Sequence, residues 1–188
     1  MTNCANTLLY GLFCLQCSIS AMLDTSSRLF LGLEVSEEEM KEITYPLMEV
    51  MGHVTSKTLQ LGVLGGTVYG HLLAAVRRST RNQDAMIILT QRYAVRAGAA
   101  GLAAGPLVTW LYCEAYKKLN ENDMYDRSYR LRHNRGQLRI DRAFQGGMLV
   151  GGVTSLFGGS GIFYGAAVGS CAGLLTMSLL EKKGIFDV

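Results

Sequence analysis

Glycine at every fourth position is the feature of this sequence that most constrains its fold. Residues four apart share one face of a helix, and glycine on that face lets a neighbouring backbone approach closely. Glycine also costs up to ~1 kcal/mol relative to alanine inside a helix in water, so close packing must offset that cost. The pattern therefore favours helices packed together in a membrane. It occurs in four apolar segments, at Gly62, Gly66 and Gly70, at Gly101 and Gly105, at Gly147 and Gly151, and at Gly161, Gly165, Gly169 and Gly173.

The composition agrees with a membrane protein and argues against a disordered one. Glycine makes up 22 of the 188 residues, but only 2 prolines accompany it, so the excess is not that of a flexible linker. Charged residues make up 18%, below the roughly 25% of soluble domains. The net charge of +3 gives no general electrostatic support for nucleic-acid binding, and we expect no nucleic-acid partner.

The four apolar segments predict four membrane spans, at about 59–76, 94–113, 143–158 and 162–180. A span needs about 20 residues, so the third segment is short and has to extend into the glycine-rich turn at 158–161 or lie where the bilayer is thin. That turn carries no charge, and it joins the third and fourth segments into a hairpin. The predicted fold is all-α, an integral membrane bundle of four glycine-zippered helices in a domain covering residues 59–183.

The first 58 residues predict an N-terminal amphipathic extension of peripheral helices. Residues 6–23 form an apolar stripe that suits a helix on the membrane surface or against a partner, and a fifth span is the alternative. Ser36 followed by three glutamates is typical of a helix N-cap with an acidic first turn. Residues 1–27 lack Lys and Arg, which a secretory signal or a cleavable mitochondrial presequence would contain. The stripe consists of Leu8, Leu12, Leu15, Ile19 and Met22.

A basic stretch lies between the second and third predicted spans. It can bind anionic headgroups, with cardiolipin a candidate among the phospholipids, or it can dock on acidic surfaces of partner subunits. At the mouth of the third span, Arg139, Asp141 and Arg142 can pair with one another. Arg96, near the start of the second span, is expected to snorkel to the headgroups, with a functional intramembrane charge as the alternative. The predicted docking residues are Arg130, Arg132, Arg135, Arg139 and Arg142.

No arrangement of residues in the sequence predicts catalysis, a cofactor or a metal. Nucleophile elbows, phosphate-binding loops and dinucleotide fingerprints are absent. Cys14 and Cys17 have the CxxC spacing without a second pair, and the other cysteines fit buried apolar positions. His71, inside the first span, fits a packed or interfacial histidine better than a ligand.

Two stretches carry a resemblance to a known family. Residues 141–151 place an acid before a glycine pair and a further glycine, as Asp141, Gly146, Gly147 and Gly151, with Arg135 or Arg139 as the preceding basic residue. Residues 164–173 continue the glycine spacing in the fourth span. In these stretches and in its layout from 59 to 183, the chain resembles the mitochondrial inner-membrane translocase superfamily. That superfamily contains the membrane subunits of the presequence and carrier translocases and a hydrophobic accessory subunit of respiratory complex I.

The resemblance implies a multi-pass protein of the mitochondrial inner membrane. It implies, first, a non-catalytic accessory subunit of complex I (NADH:ubiquinone oxidoreductase) in the electron-transport chain, supporting assembly, stability or supercomplex contacts beside other subunits. The alternative is a translocase membrane subunit, which would present a polar groove to a passing polypeptide. For such a groove the spans offer mainly Gln60, His71, Thr109, Gln145 and Thr154. A channel or small solute carrier is a third class.

Overall fold

The computed structural model describes residues 25–31, 35–76, 83–116 and 120–182. Throughout these ranges every regular element is a helix, and no strand occurs in them. The chain divides into two units, one ending at Thr44 and the other beginning at Tyr45. The predicted stripe at 6–23 and the Cys14–Cys17 pair lie outside the described residues.

The described residues of the first unit form two short helices, α1 (Thr25–Leu31) and α2 (Glu37–Lys41). The predicted N-cap at Ser36 is confirmed: its hydroxyl accepts the backbone N–H of Glu39, and the Glu39 carboxylate accepts the backbone N–H of Ser36. Arg28 of α1 pairs with Glu39 at 2.6 Å. The Ser36 backbone N–H, followed by the Arg28 guanidinium, lowers the pKa of the Glu39 carboxyl. The cap and the ion pair thus tie α1 to the start of α2.

In the second unit, the part of the chain that the structure describes forms five helices. They are α3 (Pro46–Val76), α4 (Gln83–Trp110), α5 (Glu121–His133), α6 (Arg135–Gly158) and α7 (Ile162–Lys182), and α4 continues as a π-helical turn over Leu111–Tyr116. Helix α3 packs along α4, and α6 packs along α7. Helix α5 lies against α3, while α7 also contacts both α3 and α4. The described part of the unit is therefore built from two close-packed helix pairs joined mainly through α7, which contacts both α3 and α4.

Glycines form the contact between α3 and α4. A Cβ atom added to Gly62 would overlap the carbonyl oxygen of Ala97, and one added to Gly66 would overlap that of Tyr93. Each is a backbone atom that cannot swing aside, so the two helices approach closely only because these side chains are absent. The other predicted glycines of this pair, Gly70, Gly101 and Gly105, meet the backbone of Thr90, Thr58 and Thr55 respectively.

Glycines also form the contact between α6 and α7. Gly147 lies against the carbonyl oxygen of Gly169, Gly151 against that of Gly165, and Gly173 against that of Ala143. Gly161 differs from the other predicted packing glycines because it precedes α7 and has φ +83°. With Gly159 at φ +70°, it forms the tight turn between the helices, a conformation that other residues rarely adopt. Gly161 therefore allows the chain to reverse its direction between α6 and α7.

Three helices are long and apolar enough to cross a membrane: α3, α4 with its π-helical continuation to Cys113, and α7. These contain the first, second and fourth predicted spans. Helix α6 contains the third predicted span, but it is not apolar enough to meet the same test, because its first eight residues carry four charges. The helices also extend beyond the predicted spans, since α3 begins at Pro46 rather than 59 and α4 at Gln83 rather than 94. The predicted domain boundary after residue 58 therefore falls inside α3.

Candidate functional site

Charged side chains pair across the helices at one end of the second unit. We call these paired side chains the charged end. They lie in the N-terminal parts of α3 and α6, in α5 and at the C-terminus of α7. Three ion pairs link four helices there, and each joins residues more than 40 positions apart in the chain. The charged end consists of Glu49, Lys57, Arg132, Arg139, Asp141 and Glu181.

The deepest of these pairs links Lys57 of α3 to Asp141 of α6. The Asp141 side chain is 8% exposed and that of Lys57 25% exposed. The same carboxylate oxygen of Asp141 also accepts the amide of Gln60, at 2.5 Å, and the Lys57 ammonium donates to Gln60 Oε1 at 3.1 Å. A buried carboxylate is costly unless it is both paired and hydrogen-bonded, and these partners meet both needs. Asp141 therefore fixes the register of α6 against α3.

The second pair holds α5 to the beginning of α3. Arg132 forms a two-pronged contact with the Glu49 carboxylate, its Nε lying 3.0 Å from Oε2 and its Nη2 contacting Oε1. The Arg132 side chain is only 4% exposed. One turn earlier, the buried Ser128 hydroxyl donates to the Pro46 carbonyl at 2.8 Å. A bidentate guanidinium–carboxylate contact is strong and directional, so α5 has a fixed position on α3.

The third pair, Arg139 with Glu181 at 2.7 Å, links α6 to the last turn of α7. Of the predicted docking arginines, Arg132 and Arg139 are therefore engaged with other helices of the chain, and Arg130 pairs with Asp126 within α5 at 2.8 Å. Arg130 and Arg135 are exposed, and Arg142 is half-buried. Docking by these residues on lipid or a partner stays a prediction.

Two of the three residues expected to pair with one another at the mouth of the third span pair elsewhere, Asp141 with Lys57 and Arg139 with Glu181. Residues two apart on a helix do not face each other, so Arg139 and Asp141 point to different neighbours. No pattern in the sequence predicted a role for Glu49, Lys57 or Glu181. Their one sequence signal was a charge beside or within a long apolar helix.

A second polar contact, around His71, connects α3, α4 and α7. His71 Nδ1 lies 2.9 Å from the Thr67 carbonyl and 3.3 Å from the Thr90 hydroxyl, and Nε2 lies 3.5 Å from the Tyr164 hydroxyl. A carbonyl only accepts, so Nδ1 donates to Thr67, and Nε2 faces the Tyr164 hydroxyl. His71 is thus a packed histidine that joins three helices.

Arg92 and Arg96 of α4 differ from the ion-paired residues of the charged end because both side chains are exposed. Arg96 follows the first residue of α4 by 13 positions, and its place near the beginning of a span and its snorkelling to the headgroups stay predictions. No described carboxylate forms an ion pair with either guanidinium. The two arginines, one helical turn apart, form a basic patch halfway along the helix.

The described residues include no group of three His, Cys, Asp or Glu side chains that could hold a metal ion. Cys113 and Cys171 are buried free thiols. Within the charged end the polar side chains bind one another, and the same is true within the His71 contact. Chemically, both sets connect helices.

Comparison with known protein families gives a match. The model of a family described as a protein of unknown function (DUF1757) matches residues 27–180, which is most of the chain. No curated protein matches the sequence.

Proposed function

The chain belongs to the DUF1757 family of proteins of unknown function, and on this premise we propose that it is a non-catalytic accessory membrane subunit of respiratory complex I. In this proposal it lies in the mitochondrial inner membrane and supports assembly, stability or supercomplex contacts. Its partners are other subunits of the complex and phospholipids, with cardiolipin a candidate. The location in the mitochondrial inner membrane follows from the resemblance of residues 59–183 to the translocase superfamily.

The observation that carries the proposal is the use of the buried polar groups. Asp141, Arg132 and Ser128 are each buried, and each binds a residue of another helix of the same chain. Catalytic and transport sites instead direct convergent polar groups into a pocket or a pathway. A membrane chain whose polar groups connect its own helices is suited to a structural role.

We further propose that α6 crosses the membrane as the fourth helix of the bundle. Its contacts with α7 at Gly147 and Gly151 extend along most of the apolar part of α6, from residue 143 to 158. That part covers about 24 Å at 1.5 Å per residue, short of the ~30 Å hydrocarbon core. Local thinning of the bilayer, or charged side chains that reach the interface, can bridge this difference.

The alternative is a translocase membrane subunit. Of the five polar residues that the sequence offers for a groove, Gln60 and Thr109 are buried and His71 is half-buried, which leaves Gln145 and Thr154 exposed. The exposed Arg92 and Arg96 are the one observation that favours a polar surface in the spans. We therefore keep this function as the second candidate.

Affinity purification from mitochondria in mild detergent tests the proposal. The tagged full chain should recover complex I subunits and should migrate with the complex on a native gel, while an unrelated tagged inner-membrane protein should not. Recovery of translocase subunits together with a stalled preprotein would overturn the proposal in favour of the second candidate.

A further inference from the structure

Helices α6 and α7 form a hairpin with an exposed face on the side away from α3. Helix α6 directs Asp141 to Lys57 of α3, and it directs Gly147 to α7. Helix α7 in turn directs Tyr164 to His71 of α3. Because α3 lies on one side of the hairpin, the remaining surfaces of α6 and α7 both lie on the other side.

Two stripes of residues form this exposed face. On each helix they follow one another at intervals of three or four, and such spacing places them on one side of a helix. Each stripe has cations at one end and small or apolar residues along the rest. All are exposed except Arg139 and Arg142, which are half-buried. We call the two stripes the hairpin face, which consists of Arg135, Arg139, Arg142, Gly146, Val150, Val153 and Phe157 of α6 and of Val168, Ala172, Leu175, Leu179 and Lys182 of α7.

The cations of the hairpin face lie at the level of the lipid headgroups. Residues 162–180 of α7 contain no Asp, Glu, Lys, Arg or His, and these 19 residues cover about 28 Å, close to the ~30 Å of a hydrocarbon core. Glu181 and Lys182 directly follow that stretch. Arg139 binds Glu181 at 2.7 Å and so lies at the same level, and Arg135 lies one turn farther out. Lys and Arg near the ends of membrane helices direct their charges to the headgroups.

The charge of the hairpin face suits an anion. Its cations are accompanied by one acid, Glu181, which Arg139 binds. The other acid in the described part of α6 and α7 is Asp141, and it is paired with Lys57 on the side of α3. The face therefore keeps an excess of positive charge where a bilayer presents its phosphate groups, and clusters of this kind attract anionic lipids.

Two of these cations are exposed and lie at the same end of the hairpin. Gly136 lies against the Glu181 carboxylate. The residue before Gly136 is Arg135 and the residue after Glu181 is Lys182, and both of these side chains are exposed. A phosphate has several oxygens that can accept from a guanidinium and from an ammonium. Arg135 and Lys182 are therefore the residues best placed to bind one.

A shallow apolar groove continues from the cations along the hairpin. Gly147 of α6 contacts α7 on both sides of Ala172, so Gly146 and Ala172 lie at one level. Both are exposed, and a Cβ atom added to Gly146 meets nothing within 4 Å. The next residues of the two stripes are larger, with Val150 65% and Leu175 52% exposed. The small residues thus leave a depression between larger ones that an acyl chain can occupy.

We propose that the hairpin face binds an anionic phospholipid. The phosphate lies between Arg135 and Lys182, and one acyl chain lies in the groove at Gly146 and Ala172. This inference deepens the proposed function and rests on two parts of it, that α6 crosses the membrane and that phospholipids are partners. It does not require that the assembly is the respiratory one.

Tryptophan quenching in the full chain, in vesicles of phosphatidylcholine, tests the inference. Trp110, the single tryptophan of the chain, is replaced by Phe, and Leu175→Trp puts a reporter beside the groove. Each cation near an anionic lipid contributes roughly fivefold in affinity. Brominated phosphatidylglycerol should therefore quench this reporter at a mole fraction at least ~10-fold lower than brominated phosphatidylcholine does.

A second reporter is the control for general attraction to the protein surface. Leu102 of α4 is 53% exposed and lies outside the hairpin face. The two brominated lipids should quench a Leu102→Trp reporter equally. Equal quenching of the Leu175→Trp reporter would overturn the inference. A preference of the same size at both reporters would also overturn it, since the attraction would then belong to the whole surface.

Charge variants identify the partners of the phosphate. With the Leu175→Trp reporter, Arg135→Gln combined with Lys182→Gln should lower the preference for phosphatidylglycerol at least ~10-fold. Arg135→Lys should retain most of it. Arg92→Gln combined with Arg96→Gln removes the same charge from α4 and should leave the preference unchanged. A preference that survives the first combination, or that falls equally with the second, would overturn the inference.

Filling the groove tests the position of the acyl chain. Gly146→Leu puts a side chain into open space, so the variant should unfold in detergent at the temperature of the wild-type chain. It should nevertheless lose most of the preference for phosphatidylglycerol, because the acyl chain no longer fits. Gly146→Ala leaves most of the groove open and should keep the preference. A full preference in the leucine variant would overturn the inference.

The outcomes for the two proposals remain distinct. A chain that recovers complex I subunits but shows no lipid preference at Leu175→Trp would remove the inference and keep the proposed function. A chain that shows the preference but recovers translocase subunits would do the reverse.

Discussion

At the scale of single residues, Lys57 and Asp141 illustrate how a membrane helix accommodates charge. The two side chains are 84 positions apart in sequence and form an ion pair between α3 and α6, with Gln60 as a further donor to Asp141. Ion pairs of this kind add little net stability compared with apolar residues of similar size, but loss of one partner leaves a buried charge. Single and double substitutions should therefore behave very differently.

We expect Asp141→Leu to destabilise the protein by about 2–4 kcal/mol, somewhat below the value for a fully buried pair because Lys57 keeps a quarter of its exposure. Combining it with Lys57→Met should recover most of that loss, since no charge is then left unpaired. Thermal unfolding in detergent measures both variants. Additive losses in the double variant would show that the pair does not act as a unit.

Not every charge could be assigned from the sequence. Asp141 was recognised as a notable acid before a glycine pair, but its partner Lys57 is remote in sequence and no local rule connects them. Arg132 was expected to face lipid or a partner and instead binds Glu49 inside the chain. Side-chain chemistry says what each residue needs, whereas the fold decides which residue supplies it.

At the scale of helices, the difference between neighbouring glycines is informative. Gly66 and Gly147 lie against backbone carbonyls of the next helix, while the adjacent Gly65 and Gly146 have nothing within 4 Å of an added Cβ. All four residues are glycines, and the two members of each pair are adjacent in one helix. They differ only in the helix face on which they lie.

Alanine substitutions at these four glycines should distinguish the effect of helix–helix packing on stability from that of helix propensity. Gly66→Ala and Gly147→Ala should each cost about 1–3 kcal/mol, because rigid backbone has to move apart. Gly65→Ala and Gly146→Ala should be neutral or stabilising by up to ~1 kcal/mol, since alanine favours the helix. Thermal unfolding in detergent compares each pair. Equal losses at both members of a pair would contradict close packing as the reason for the glycines.

The sequence predicted the helical class and the apolar cores of the helices better than their ends. Hydropathy falls at charged residues such as Glu49 and Lys57, so the first span was expected to begin at 59. The helix itself continues back to Pro46, whose fixed φ and missing N–H suit the first position of a helix. Backbone hydrogen bonding does not stop where hydropathy falls, and α5 covers this polar extension.

At the scale of the whole molecule, the number of crossings decides on which side of the membrane each connection lies. Helices α3, α4 and α7 meet the criteria for spans, and α6 is the helix in question. Helix α5 precedes α6, and the turn containing Ser160 follows it. If α6 spans, these two points lie on opposite sides of the membrane, and if it does not, they lie on the same side.

We expect Asn122→Cys in α5 and Ser160→Cys in the turn to react with a membrane-impermeant maleimide from opposite sides. In mitochondria with the outer membrane removed, one variant should label at once and the other only after the inner membrane is opened. Replacement of Cys4, Cys14 and Cys17 by serine lowers the background, and Cys113 and Cys171 are buried. Labelling of both variants from one side would mean that α6 lies on the membrane or only dips into it. The glycines along α6 would then hold it to α7 near the surface, and the four-helix bundle would be wrong.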